Sequence, residues 1–233
     1  MTNIVRAQKK QKTKAVSLIT LADKSSPISE QYRTIRTNIQ YAMVDRDLKT
    51  LVITSSGPSE GKSTTSANLA IVFANSGKRV LLVDADMRKP TVAKTFALDN
   101  TRGLSTLLGS RETMLHQVVQ NSGVDNLFLM TSGPKPPNPS ELLDSRRMQE
   151  LIHELKHQYD LVIFDMPPVV AVTDAQIVAS KSDGTILVVR ENVSKRDSLL
   201  KAKSLLEMVD ANILGVVYNG SKNIEDQGYY YGS

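Results

Sequence analysis

The stretch Leu48–Thr64, LKTLVITSSGPSEGKST, decides the fold. Leu48–Thr54 is short, apolar and rich in β-branched side chains, the pattern of a strand buried on both faces. The polar segment Ser56-Gly57-Pro58-Ser59-Glu60-Gly61-Lys62-Ser63-Thr64 follows, and Ser63–Asn75 reads as a helix that Gly77 closes. A buried strand feeding a glycine-containing loop that feeds a helix is the context of a phosphate-binding loop. Consecutive backbone N–H groups curl around a phosphate, and the positive end of the helix dipole adds to them. On this reading Gly57, Pro58, Ser59, Glu60, Gly61, Lys62, Ser63 and Thr64 bind nucleotide. Lys62 spans the β- and γ-phosphates, and the Ser63 hydroxyl binds Mg²⁺. One departure stands out: the first glycine of the G-x-x-x-x-G-K-[ST] pattern falls on Ser56, with a glycine one place later.

Two more apolar strands end in carboxylates. Arg79–Val83 runs into Asp84-Ala85-Asp86-Met87-Arg88, and Leu161–Phe164 runs into Asp165. In an open α/β sheet the ligand lies beyond the carboxyl ends of the strands, where Asp84, Asp86 and Asp165 would project. Carboxylates converging there need a counter-cation, and oxygen ligands beside a phosphate substrate favour Mg²⁺.

The remaining chain supplies the scaffold. Ser25-Ser26-Pro27 signals a helix start, and Ile28, Tyr32, Ile35, Ile39 and Met43 recur at helical spacing, which predicts a helix over residues 27–44. Leu104–Leu108 reads as a short helix, Asn126–Met130 as a strand, and Gly133–Pro139 as a loop enforced by its prolines. A long helix is expected from Ser140 to Gln158. Helices at Asp174–Ser180 and Lys195–Val209 alternate with strands at Gly184–Val189 and Ile213–Tyr218. Short buried strands alternating with helices predict an α/β fold, a mostly parallel sheet of the P-loop NTPase type with helices on both faces.

Composition narrows the class. The chain has 233 residues, 40% hydrophobic and 23% charged, enough for one sizeable core. There is no cysteine, which excludes disulfide scaffolds, thiolate metal sites and cysteine nucleophiles. No apolar run has the length of a membrane span, and residues 1–14 lack a signal-peptide core, so a cytoplasmic protein is expected. The net charge of +5 comes from Arg6, Lys9, Lys10, Lys12 and Lys14; without them 24 basic residues face 24 acidic ones. Residues 1–25 are therefore read as a flexible basic arm, residues 26–220 as the folded domain and residues 221–233 as a flexible tail. No nucleic-acid partner is expected.

The set GPSEGKST, VLLVDADMRKP and LVIFDMPP resembles the bacterial tyrosine kinases, in particular the cytoplasmic kinases of capsular and exopolysaccharide loci, on a scaffold related to the MinD/ParA ATPases. The resemblance implies an ATP- and Mg²⁺-dependent protein-tyrosine kinase that phosphorylates its own tail and regulates polysaccharide production. It implies that Asp84 orients or deprotonates the acceptor phenol, with Lys62 and Asp86 in the catalytic set. Ser63, Asp86 and Asp165 hold the metal, and Asn219 contacts adenine. Glu30, Arg33 and Arg36 match an E-x-x-R-x-x-R motif associated with ring-like self-assembly; at helical spacing they share one face. Tyr229, Tyr230 and Tyr231 match the autophosphorylated cluster. Arg88 matches the arginine of a D-x-D-x-R pattern, in a structural or a catalytic role. The resemblance also implies a membrane adaptor of the chain-length-determinant type that recruits and activates the kinase at the membrane, and a cognate tyrosine phosphatase. The alternative is a MinD/ParA-type ATPase switch without phosphotransfer to protein. Those ATPases carry an early lysine in the loop, where this chain has Ser55-Ser56-Gly57-Pro58.

Overall fold

The computed structural model describes residues 14–44 and 47–221. Seven strands make one sheet: β1 (Thr50–Ser55), β2 (Val80–Asp84), β3 (Val119–Asn121), β4 (Leu127–Met130), β5 (Leu161–Asp165), β6 (Gly184–Arg190) and β7 (Ile213–Asn219). Their order is β3-β4-β2-β5-β1-β6-β7. All neighbours are parallel except β3 and β4. The helices are α1 (Ile19–Ala22), α2 (Pro27–Ala42), α3 (Lys62–Ala74), α4 (Val92–Thr95), α5 (Leu104–Gly109), α6 (Pro139–Asp144), α7 (Arg146–Gln158), α8 (Asp174–Ala179) and α9 (Arg196–Glu207).

Alternation along the strands builds a core on each face of the sheet. Val52, Leu81, Val83, Val162 and Phe164 pack with Leu143, Met148, Leu155, Val178 and Leu206 from α6 to α9. Leu51, Ile53, Leu82 and Ile163 pack on the other face with Tyr32 and Ile39 of α2 and with Leu69 and Phe73 of α3. The central strands β1, β2 and β5 are buried along their whole length, as parallel strands covered on both sides must be.

Ser26 caps α2 by accepting from the Ser29 N–H, with Pro27 in the first turn, as the sequence indicates. Three features depart from expectation. The helix expected from Ser140 to Gln158 is two helices, because Ser145 is extended and caps α7 by accepting from the Met148 N–H. The edge strand β3 is antiparallel and partly exposed, so no apolar run announces it. The expected arm is divided: residues 1–13 lie outside the described residues, whereas Val16, Leu18 and Ile19 pack on the core. Asn68 of α3 holds that segment, accepting from Thr20 N and Oγ1 and donating to the Ser17 and Thr64 carbonyls, so the packed structure begins before residue 26. Among the described residues no helix is long and apolar enough to cross a membrane.

Candidate active site

β1 ends at Ser55 and the chain turns through the phosphate loop into α3. Pro58 and Ser59 are exposed at its tip, Gly57 and Thr64 are half-buried, and Ser59 and Gly61 have positive φ, 65° and 98°. Gly61 suits that φ, and a Cβ there would lie 1.9 Å from Asn219 Nδ2, so any side chain would displace Asn219. The first N–H groups of α3 have no partner within the helix, the local condition for holding an anion. Ser56, in place of the usual glycine, donates its hydroxyl to the buried Glu60 carboxylate at 2.8 and 3.0 Å, so the substitution comes with its own partner. Asn219, at the end of β7, donates to the Glu60 carbonyl, and Arg190, at the end of β6, donates to that of Ser59. The loop is thus braced from the neighbouring strands.

The register of the sheet brings the acidic residues together. Asp84 of β2 sits directly beside Asp165 of β5, and Ile53 of β1 lies beside Asp165 on its other side. Lys62 Nζ lies 3.0 Å from Asp86 Oδ2 and 3.5 Å from Asp165 Oδ1, and donates to Ser63 Oγ at 3.0 Å. Burial works against the ammonium, but Asp165 and Asp86 outweigh it and hold the Lys62 pKa above its ordinary value. Asp84 is fully buried; Oδ2 accepts from the Thr91 and Val92 N–H groups at 2.8 Å each, and Oδ1 has no hydrogen-bond partner. Burial, and after it the Asp165 charge, push the Asp84 carboxyl up to about 7 against the pull of those amides and of Lys62. Asp165 is also raised, chiefly by burial, with Lys62 opposing; its Oδ1 accepts from Ser66 and its Oδ2 has no hydrogen-bond partner.

Among the described residues no three His, Asp or Glu side chains group with metal-ligand spacing. Mg²⁺ does not require such a group, because it keeps several waters and is held by one or two carboxylates plus substrate phosphates. The residues fit it: Ser63, Asp86 and Asp165 already surround one cation, the Lys62 ammonium.

The other sequence candidates lie elsewhere. Glu30 and Arg33 of α2 pair with each other at 2.6 Å, and Arg33 also donates to the Lys24 carbonyl. Arg36 turns inward to the Val72 carbonyl of α3. Tyr229, Tyr230 and Tyr231 lie outside the described residues. Sequence reading missed the bracing by Arg190, the Ser66–Asp165 bond, and the pairing of Arg88 with Asp174 and Ser140. Each joins residues far apart in the chain, and no local pattern marks them.

The AAA domain family matches residues 48–210. Over 218 residues the chain is 50% identical to tyrosine-protein kinase YwqD of Bacillus subtilis (strain 168), covering 93% of this chain and 92% of that one. It is 34% identical over 229 residues to tyrosine-protein kinase etk of Escherichia coli (strain K12), which takes in 98% of this chain but 31% of etk. The kinase domain of the Escherichia coli tyrosine kinase ETK superposes with a TM-score of 0.86 at 33% identity, over 100% of this chain and 89% of that domain. The septum site-determining protein MinD of Pyrococcus horikoshii OT3, complexed with Mg-ADP, shares the fold alone: TM-score 0.61 at 23% identity, over 73% of this chain and 70% of that one. A P-loop nucleotide-binding fold with this acidic cluster, joined to such identity along nearly the whole length of YwqD, shows that the chain belongs to the bacterial tyrosine-protein kinase family.

Proposed function

We propose that this chain transfers the γ-phosphoryl group of Mg-ATP to tyrosine hydroxyls, its own Tyr229, Tyr230 and Tyr231 among them, and thereby regulates capsular or exopolysaccharide synthesis and export. The observation that carries the reading is the buried Asp84 carboxyl, poised near pH 7 beside the Lys62–Asp86–Asp165 cluster. A group that takes up a proton near the working pH is suited to accept one from a phenol whose ordinary pKa is ~10. The N–H groups that open α3 hold phosphate oxygens, and Asn219, at the loop's edge, faces the nucleotide base. Lys62 would pair with the β- and γ-phosphates in place of the carboxylates, and Ser63, Asp86 and Asp165 would hold the metal. Bound with the nucleotide, Mg²⁺ supplies charge neutralisation on the transferring group.

Assembly completes the proposal. Glu30 and Arg33 mediate contacts between copies in a ring, while Arg36 of the same motif holds α2 against α3. A separate membrane adaptor of the chain-length-determinant type recruits and activates the kinase, keeping it peripheral to the membrane on its cytoplasmic side. A cognate phosphatase would reset the tail.

The test is incubation of the purified chain with γ-labelled ATP and Mg²⁺, then mapping of the label. Tyr229–Tyr231 should carry it, and a folded Lys62→Met chain should carry none. Release of labelled phosphate with unlabelled protein would favour an ATPase switch instead.

A further inference from the structure

Arg88 lies two residues after Asp86, where a guanidinium has a choice between phosphate and protein. Here both prongs are engaged by protein. Nε donates to Asp174 Oδ2 at 2.9 Å and Nη2 donates to Asp174 Oδ1 at 3.0 Å. Asp174 opens α8 and is fully buried. Ser140, in the first turn of α6, donates to the same Oδ1 at 2.7 Å and accepts from Arg88 Nη2 at 3.1 Å. Three separate segments therefore meet on one carboxylate: the turn after β2, the end of the proline-rich loop after β4, and the start of α8.

The main chain of the same turn aims the acidic residue. The Arg88 and Lys89 N–H groups donate to Asp86 Oδ1 at 3.3 and 2.9 Å, which leaves Oδ2 turned toward Lys62. Anchoring the Arg88 side chain fixes that turn, and the turn fixes the Asp86 carboxylate. A two-pronged bond to a buried carboxylate is specific to arginine; lysine keeps the charge and loses the fork.

The geometry points to Arg88, Asp174 and Ser140 as a positioning unit that sets Asp86 for the metal, with Arg88 touching neither phosphate nor acceptor. This rests on the kinase reading only in taking Asp86 as a metal-binding carboxylate. Partners that orient a ligand without touching the metal are worth ~10–100-fold in metal affinity or activity.

The experiment compares Arg88→Lys, Asp174→Asn and the double variant with the parent chain, after thermal unfolding shows which of them fold. Calorimetry measures Mg²⁺ affinity in the presence of ADP, and steady-state kinetics give kcat at saturating Mg²⁺. Each single variant should weaken Mg²⁺ affinity by ~10-fold while kcat at saturating Mg²⁺ is retained, and the double should be no worse than either single. Removing Arg88 altogether would strand a buried charge and unfold the site. Should the single variants also fail to fold, Ser140→Ala, which keeps the ion pair, should shift Mg²⁺ affinity in the same direction by less. Unchanged Mg²⁺ affinity with a lowered kcat in Arg88→Lys, or additive losses in the double variant, would overturn the proposal. Variants that follow this Mg²⁺–ADP pattern, beside a parent chain that labels no tyrosine, would overturn the kinase reading and leave the positioning unit standing.

Discussion

The two oxygens of Asp84 differ in their surroundings: Oδ2 takes two backbone N–H groups and Oδ1 takes none. With the folded carboxyl raised to about 7 and an unfolded carboxyl near ~4, the folded chain binds the extra proton between those limits. Stability from this group is complete below pH ~4, falls as pH rises through that window and is level above it. A neutral amide of the same shape escapes the loss. Asp84→Asn should therefore unfold at a higher temperature than the parent at pH 8, by a margin of at most ~4 kcal/mol that closes toward pH 4, while losing tyrosine transfer. Calorimetric scans across that pH range check the first half, and labelling checks the second. Equal unfolding temperatures at pH 8 would mean that Lys62 compensates the charge fully. The Asp84, Asp86 and Asp165 cluster was legible in the sequence because Asp84 and Asp165 end apolar strands and Asp86 follows two residues after Asp84, and parallel register does the rest. The Arg88–Asp174 pair was not, since its partners are 86 residues apart and neither sits in a local pattern that predicts the other.

At the scale of elements, the apolar pattern revealed every buried strand and most of the helices that cover them, but not α4, whose Val92 packs in the core. It failed where tertiary partners decide. α1 is four residues long and is held by Asn68, which no window around residue 20 contains. The break between α6 and α7 turns on Ser145, whose type favours an N-cap over a helix interior without excluding the interior. α2 shows a third case, in which the spacing was legible and the use of each side chain was not. Glu30 is exposed and Arg33 half-buried, both bonded locally, whereas Arg36 ties α2 to α3, so the motif divides into a surface pair and a packing residue. The assembly proposal is then tested most cleanly without Arg36. Glu30→Ala with Arg33→Ala should convert the oligomer to monomers by light scattering, with unfolding changed by no more than ~1 kcal/mol, because exposed ion pairs contribute little. Arg36→Ala should destabilise the chain as well, by the ~1–3 kcal/mol of a buried group left without its partner. An unchanged particle mass in the double variant would remove the pair from the interface.

For the whole molecule, the strand order fixes what the tail has to reach. β7 lies at one edge of the sheet, and β2, which carries Asp84, lies four strands away across β6, β1 and β5. At ~4.8 Å per strand that is about 19 Å, measured at the level of the strand ends. The chain from Gly220 to Tyr229 can span at most ~30 Å, so its length alone permits transfer within one copy. What favours a neighbour is concentration. In a closed ring each tail is held near the next copy's site at an effective concentration in the millimolar range. Each phosphate adds about −1.5 to −2 charges, so a fully modified triplet carries about −5 and is repelled from the carboxylates of the site it has just left. Transfer between copies should therefore limit itself and loosen the ring. Mixing separates the routes. A Lys62→Met chain with an intact tail is combined with an active chain whose Tyr229, Tyr230 and Tyr231 are Phe. Label should accumulate on the inactive chain, and the labelled protein should have a smaller mass in solution than the unlabelled assembly. Transfer between copies fails as an account if the inactive chain stays unlabelled while light scattering shows the two chains in one particle. The nine-residue reach to the chain's own site would then be the working route.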